Sequence, residues 1–414
     1  MRNHHHAVLA SLLLTSSLVA ADWPQFLGAQ RNGVADVGAE IAGGFPVSGP
    51  KILWTHPLGS GFAGPAVADG KVIVIHRADD QVLVEALDVK DGTEFWHFTY
   101  VNTYADSYGL DSGPRATPTI AQGKVILHGA EGRIHVLDLT TGKLLWHYDT
   151  VKELDSPQGF FGRVCPPLVI GSNVILAAGG KNDKGPAGLI ALNLADGKVV
   201  WQSVDDEASY SAPIFHETEK LPALICWMRN NLVVCDARDG SIKYRAHLRS
   251  EMDASVNAAT PIWCGDKLFL TASYDVGASL WAWEPTGKLT EVWKKPNVLD
   301  CHYSTPVYKD GYLYGLHGRQ EFGQSLRCVR VEDGKLMWES GKVAGGTLLL
   351  IKDTLVLLTE AGELSLIKAS SDKYESLAQD QILRAGHRSY PAFANGVLYA
   401  RDGKQLIAVD LLAK

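Results

Sequence analysis

Chemistry would have to come from six cysteines, fourteen histidines and forty-six acidic residues, so their spacing matters more than their number. The cysteines stand at 165, 226, 235, 264, 301 and 328, with no C-x-x-C, no C-x-x-C-H and no adjacent pair. That spacing offers no haem attachment, zinc knuckle or thioredoxin-like dithiol, and it is too sparse for a disulfide scaffold. No G-x-S-x-G, H-E-x-x-H or P-loop occurs either, so hydrolase, zinc-protease and phosphate-cradle chemistries have no motif. Asp106 and Asp111 lie in a Tyr- and Asp-rich stretch, 100–113, without the D-x-D-x-D-G spacing of a calcium loop. A surface loop is expected there. No catalytic or metal-ligating residue is assigned.

What remains is a set of polar residues at one recurrent position. Arg115, Arg163, Tyr210, Asn257, His302, His387 and Arg388 each stand a few residues ahead of a proline. If those prolines open equivalent strands, the seven side chains surround one opening. Cations recessed there would hold an anion or a carboxylate by charge-assisted hydrogen bonds. The same positions also suit solvated residues or struts between repeats.

The elements that would position them are repeats. An apolar strand, an acidic residue, a D-G or T-G turn and a strand ending in Trp recur along the chain. The unit reads Ala-Leu-Asp88-Val-Lys-Asp-Gly92-Thr-Glu-Phe-Trp96, then Val-Leu-Asp138-Leu-Thr-Thr-Gly142-Lys-Leu-Leu-Trp146, then Ala-Leu-Asn193-Leu-Ala-Asp-Gly197-Lys-Val-Val-Trp201. A fourth copy ends in Tyr244, a fifth in Trp293 and a sixth in Trp338, while a seventh, 366–377, is degenerate. The turn glycines fall at 92, 142, 197, 240, 287 and 334. That period fits four short strands per unit, the spacing of propeller blades. Prolines 65, 118, 167, 213, 261, 306 and 391 open the units, with Leu348 in the remaining one. Proline is tolerated at the first residue of a strand and excluded from its centre.

Eight openings face only seven complete endings. The last unit stops at Leu406-Ile-Ala-Val-Asp410-Leu without its Trp strand, while Lys51-Ile-Leu-Trp54 stands spare ahead of the first. A closed ring abolishes free sheet edges. The expectation is therefore an all-β, eight-bladed β-propeller of four-stranded blades, closed by the N-terminal strand. Trp54, Trp96, Trp146, Trp201, Trp293 and Trp338 are expected to dock between blades as structural glue.

Ahead of the ring, Arg2 and an apolar run from Ala7 to Ala20 ending in Val-Ala-Ala21 have the profile of a cleaved signal peptide. No cysteine stands near that site for a lipid anchor. The expected organisation is a signal peptide over 1–21, an N-terminal arm over 22–50 and one propeller domain over 51–414. The location expected is periplasmic or extracellular. Net charge is −7 with no basic block, which disfavours nucleic acid, and no apolar run is long enough for a membrane helix.

The units at 86–96, 136–146 and 191–201 resemble the pyrroloquinoline-quinone (PQQ) repeat with its A-x-D-x-x-T-G-K-x-x-W docking motif. The stretch Asp22-Trp-Pro-Gln-Phe-Leu-Gly-Ala-Gln-Arg-Asn-Gly-Val34 is similar to the W-P-Q-F/W-R-G-P-x-R-x-G arm of an exported, planctomycete-type group of that family. The resemblance implies the quinoprotein-type propeller fold, shared by quinoprotein alcohol dehydrogenases and the BamB-like assembly proteins. A quinoprotein enzyme of this kind is implied to carry PQQ, a vicinal disulfide and an Asp/Glu/Asn calcium set. Adjacent cysteines are absent here, and no position matches the calcium ligands or the catalytic Asp. The expectation is a monomeric, non-catalytic binding or assembly scaffold with an envelope protein or peptide partner, and no certain cofactor. The alternative is a PQQ-dependent oxidoreductase with calcium.

One local expectation concerns two thiols. A two-residue Asn230-Asn231 turn would pair residue 226 with 235 across a hairpin, at a site where side chains lie closest. Either a Cys226–Cys235 disulfide or two buried thiols would satisfy that register.

Overall fold

The structure is a computed structural model and describes residues 22–35 and 41–412; the signal-peptide reading lies outside the described residues. Eight antiparallel four-stranded sheets follow one another around a ring. Blade one runs outward through Ala66–Ala68, Lys71–Ala78, Gln81–Asp88 and Glu94–Val101. Its β-branched run Val72 to Ile75 is fully buried between neighbouring sheets, which is where such side chains gain most from burial.

Blade eight is assembled from both ends of the described chain. Ala392–Ala394, Val397–Arg401 and Gln405–Asp410 form its inner three strands, and Lys51–Pro57 is the outer one. The register runs from Lys51 opposite Asp410 to Pro57 opposite Gln405. The ring is thus closed by the N-terminal strand, as the spare Trp54 requires.

Each tryptophan of the repeat reaches the next blade. Trp96 donates its indole N–H to the Leu139 carbonyl, Trp146 to Leu194, Trp201 to Ala237, Trp293 to Val331 and Trp338 to Ser370, all at 2.8–3.2 Å. The six-membered rings of Trp96, Trp146, Trp201 and Trp293 sit over the turn glycine of that next blade, while the turn that receives Trp338 is Ser371-Asp372. A Cβ on Gly142 would lie 2.5 Å from Trp96, so only glycine fits. Every outer strand carries one extra residue directly before this docking position: Leu53, Phe95, Leu145, Val200, Lys243, Val292, Met337 and Leu377. A bulge re-aims the side chain that follows it. In blades four and seven the residue so aimed is Tyr244 and Ala378 rather than Trp.

The N-terminal arm lies in the central channel. Trp23 exchanges backbone hydrogen bonds with Val67 of blade one, and Ile120 of blade two donates to the Pro24 carbonyl. Val34 and Ala35 pair in parallel with Leu350 and Ile351 at the end of the inner strand of blade seven. Between them Arg31 is 3% exposed. Its guanidinium donates to the carbonyls of Pro166 and Pro167 in blade three and Pro213 in blade four, while Nε donates to Gln25 Oε1 at 2.8 Å. Burial lowers its pKa to about 10, which leaves it charged at neutral pH. One buried cation therefore satisfies carbonyls that the strand-opening prolines present to the channel.

The hairpin carrying Cys226 and Cys235 departs from the expected register. Met228 N–H donates to Asn231 O, so the turn is Arg229-Asn230, and Cys226 lies opposite Val233. Neither asparagine adopts positive φ. Instead the Asp206 carboxylate accepts from Asn230 Nδ2 at 2.6 Å and Asn231 Nδ2 at 2.7 Å, fixing the tip from outside the hairpin. Both thiols are free and buried.

Candidate functional site

The loops that precede the inner strands gather at one end of the channel around a cavity of about 510 Å³. Arg115, Tyr210, His302 and Arg388 line it together. The other three expected residues stand behind it. Arg163 donates to the Ser156 and Glu131 carbonyls and to Ser156 Oγ. Asn257 donates to the Met228 and Arg229 carbonyls, and its own carbonyl accepts from Tyr210 N–H and Ser211 N–H. His387 is buried, and burial pushes its pKa down to about 4, so its ring is neutral.

The charge delivered to the mouth is matched. Arg115 Nη2 pairs with Asp106 at 3.0 Å, Arg319 with Glu321 at 3.1 Å and Arg388 with Glu360 at 3.0 Å. Asp106 also accepts from Tyr108 N–H and Leu110 N–H, so the acidic loop uses its carboxylate to fold itself. Asp111 likewise accepts from Gly61 N–H and Gly113 N–H. His302 is held by both nitrogens. Gln320 Oε1 accepts from Nδ1–H at 2.5 Å, which leaves Nε2 to accept the Tyr274 hydroxyl at 2.7 Å. Burial lowers its pKa, and the imidazole stays neutral.

Aromatic rings supply most of the wall. Tyr108, Phe160 and Phe161 contact one another on one side, with Phe161 5.6 Å from Tyr210. Tyr274 and Tyr303 flank His302 on the other. The guanidiniums stack on these rings: Arg115 lies 5.1 Å from the Phe62 centroid, Arg319 4.7 Å from Tyr274 and Arg388 5.7 Å from Tyr303. Phe26, from the arm, also lines the cavity and meets Tyr390 edge-on at 5.0 Å.

Sequence spacing did not point to Arg319 or Phe26. Arg319 comes from the loop between the second and third strands of blade six, not from a strand opening. Phe26 reaches the mouth only because the arm occupies the channel. The one sequence signal for Phe26 is its place in the W-P-Q-F arm.

The docking geometry and the ring find their counterparts in known proteins. The family described as outer membrane protein assembly factor BamB matches residues 47–219. The chain is an eight-bladed β-propeller with repeats similar to those of that family. This propeller is 24% identical to BamB of Escherichia coli (strain K12) over 342 residues, covering 70% of this chain and 80% of that protein. It is 24% identical to BamB of Moranella endobia over 267 residues, covering 62% of this chain and 64% of that protein. Among solved structures, BamB from Moraxella catarrhalis superposes with a TM-score of 0.63 at 14% identity, covering 87% of this chain and 96% of that one. Quinohemoprotein alcohol dehydrogenase from Comamonas testosteroni gives 0.67 at 14% identity, covering 95% and 81%. At such identity the last two likenesses concern the fold alone.

Proposed function

We propose that this propeller is a monomeric, exported, non-catalytic scaffold of the cell envelope that binds a protein or peptide partner at the channel mouth. The observation that carries the reading is the mouth itself: a recessed cup walled by aromatic rings with stacked, ion-paired arginines. Aromatic residues and Arg are enriched in the cores of protein interfaces and dominate their hot spots. The similarity to assembly factors over most of the chain supports a partner of that kind. No described helix is long and apolar enough to cross a membrane.

The residues present do not fit a calcium-held quinone. Glu321 is the single carboxylate among the described residues lining the cup, and Arg319 already engages it. Glu360 and Asp106 beside it are likewise engaged by arginines. A hard cation needs several free oxygen ligands at once, and breaking these pairs would strand three guanidiniums. Adding PQQ and calcium to the purified protein tests this directly. The scaffold reading expects no quinone absorbance to remain with the protein after gel filtration, and retained stoichiometric quinone would contradict it. For the positive claim, the protein and a variant carrying Tyr108→Ala and Phe161→Ala should be used to isolate partners from the envelope of producing cells. A defined partner retained by the first and lost by the second is expected; equal recovery would move the site elsewhere.

A further inference from the structure

We propose that the cup accepts an uncharged, polar-tipped aromatic side chain, a tyrosine presented by a loop of the partner, and that Phe26 of the N-terminal arm is its floor. The inference rests on the scaffold reading and deepens it.

Four observations lead there. The first is closure. The arm fills the channel below the mouth, held by Trp23, by the Arg31 guanidinium and by the pairing of Val34 with Leu350. A ligand therefore enters from one side and stops at Phe26; a peptide cannot thread through. The cavity volume suits one or a few side chains.

The second is charge. Three guanidiniums and three carboxylates pair one to one around the cup. An acidic group finds no unpaired cation to offset its desolvation, and a lysine finds no carboxylate that an arginine does not already engage. A neutral occupant avoids both costs.

The third is shape. Rings at Phe26, Phe62, Phe161, Tyr210 and Tyr274 leave faces and edges to the cavity. Offset and edge-to-face contacts are the arrangements a further aromatic ring prefers. A sugar would bury several hydroxyls at once, where the arginines, the carboxylates and His302 are already engaged with one another.

The fourth is the leftover hydrogen-bonding capacity. Tyr210 Oη accepts from Phe160 N–H and Phe161 N–H, which leaves its own proton to donate. That proton is a donor, so the occupant needs an oxygen acceptor at its tip, as a tyrosine hydroxyl provides.

The test is a calorimetric or NMR titration of the purified chain with N-acetyl-tyrosinamide, N-acetyl-aspartamide, N-acetyl-lysinamide and a neutral trisaccharide. The tyrosine probe should saturate and bind tightest of the four. Phe26→Ala should weaken it by about tenfold, the scale of a lost aromatic contact, with the melting transition kept because Trp23, Leu27 and Arg31 still hold the arm. Should that variant lose its melting transition, Phe161→Ala reads the same loss from the wall. Tighter binding of the acid, the lysine or the sugar overturns the inference. So does failure of the tyrosine probe to saturate, or equal affinity in the folded variants. None of those results touches partner isolation from the envelope, so the inference can fail while the scaffold reading stands.

Discussion

Trp54 donates its indole N–H to the carbonyl of Val89 at 3.0 Å, and a Cβ on Gly92 would lie 2.8 Å from its ring. Trp54 belongs to the last blade and Gly92 to the first, so this contact joins the two ends of the ring by the same device that joins blade one to two and two to three.

Trp54→Ala should therefore cost as much as the same change at Trp146. A buried Trp to Ala change removes about 3–5 kcal/mol, and both variants should melt several degrees lower in one cooperative transition. Deleting residues 22–58 should abolish that transition. A Trp54→Ala protein that melts like the parent in calorimetry would mean that the ring does not depend on closure.

A second contact at the same seam titrates. His56 on the closing strand and His76 on blade one both reach Glu85, at 3.2 and 2.7 Å. His76 Nδ1 accepts from Gly59 N–H, so its Nε2–H donates to the carboxylate. Burial pushes the Glu85 carboxyl up, but the bonds and charges of the two histidines outweigh it and hold the pKa at about 2. That stabilisation is present above pH 4.5 and is lost as pH falls through about 2. The Glu85 hydrogen bond raises the His56 pKa above 6.5, so its contribution is complete below pH 6.5 and fades as pH rises through the folded value. Closure should be firmest between pH 4.5 and 6.5. Denaturant midpoints measured from pH 3 to 9 should show that window, and Glu85→Gln should flatten it; an unchanged profile in the variant would remove Glu85 from the account.

Arg31 should matter to stability out of proportion to its place in a terminal arm. Arg31→Ala leaves the Pro213 carbonyl unpaired inside the channel and Pro167 with the Thr119 hydroxyl alone, and the loss should reach about 3 kcal/mol, the upper range for hydrogen bonds to a charged group. Urea midpoints for Arg31→Ala and Arg31→Lys report it, with the lysine recovering part of the loss. A neutral effect of both would show that the arm is a passenger in the channel.

The division between what the sequence disclosed and what it concealed follows the range of the interactions. Blade number, strand openings, ring closure and the docking tryptophans repeat at fixed spacing, so each copy corroborates the others. The gathering of Arg115, Tyr210, His302 and Arg388 also follows from position within the repeat. The arm does not repeat: Trp23, Arg31 and Val34 bind blades one, three, four and seven, and only the closed ring brings those partners together. The ion pair of Arg388 was hidden for the same reason, since Glu360 comes from blade seven, whereas Asp106 meets Arg115 within one connection whose irregular folding carries no repeat signal. The Cys226 register failed because Asp206, some twenty residues upstream, overrode the local turn preference of Asn230-Asn231.

The thiols give a simple check on that hairpin. All six cysteines are free and buried, and burial raises the thiol pKa of each. Native protein should react with none of its thiols against a disulfide reagent at pH 8, and denatured, unreduced protein should yield all six. Fewer than six after denaturation would reveal a bond that the present geometry does not contain.

The central claim is that the mouth, rather than the perimeter, meets the partner. Tyr108 is 56% exposed at the rim of the cup, and Phe95 is 52% exposed on the outer strand of blade one. A photo-crosslinking residue placed at each position in turn, in producing cells, compares the two surfaces at matched exposure. The account predicts a discrete envelope-protein adduct from position 108 that is absent from position 95. An adduct from position 95 with none from position 108 would contradict it.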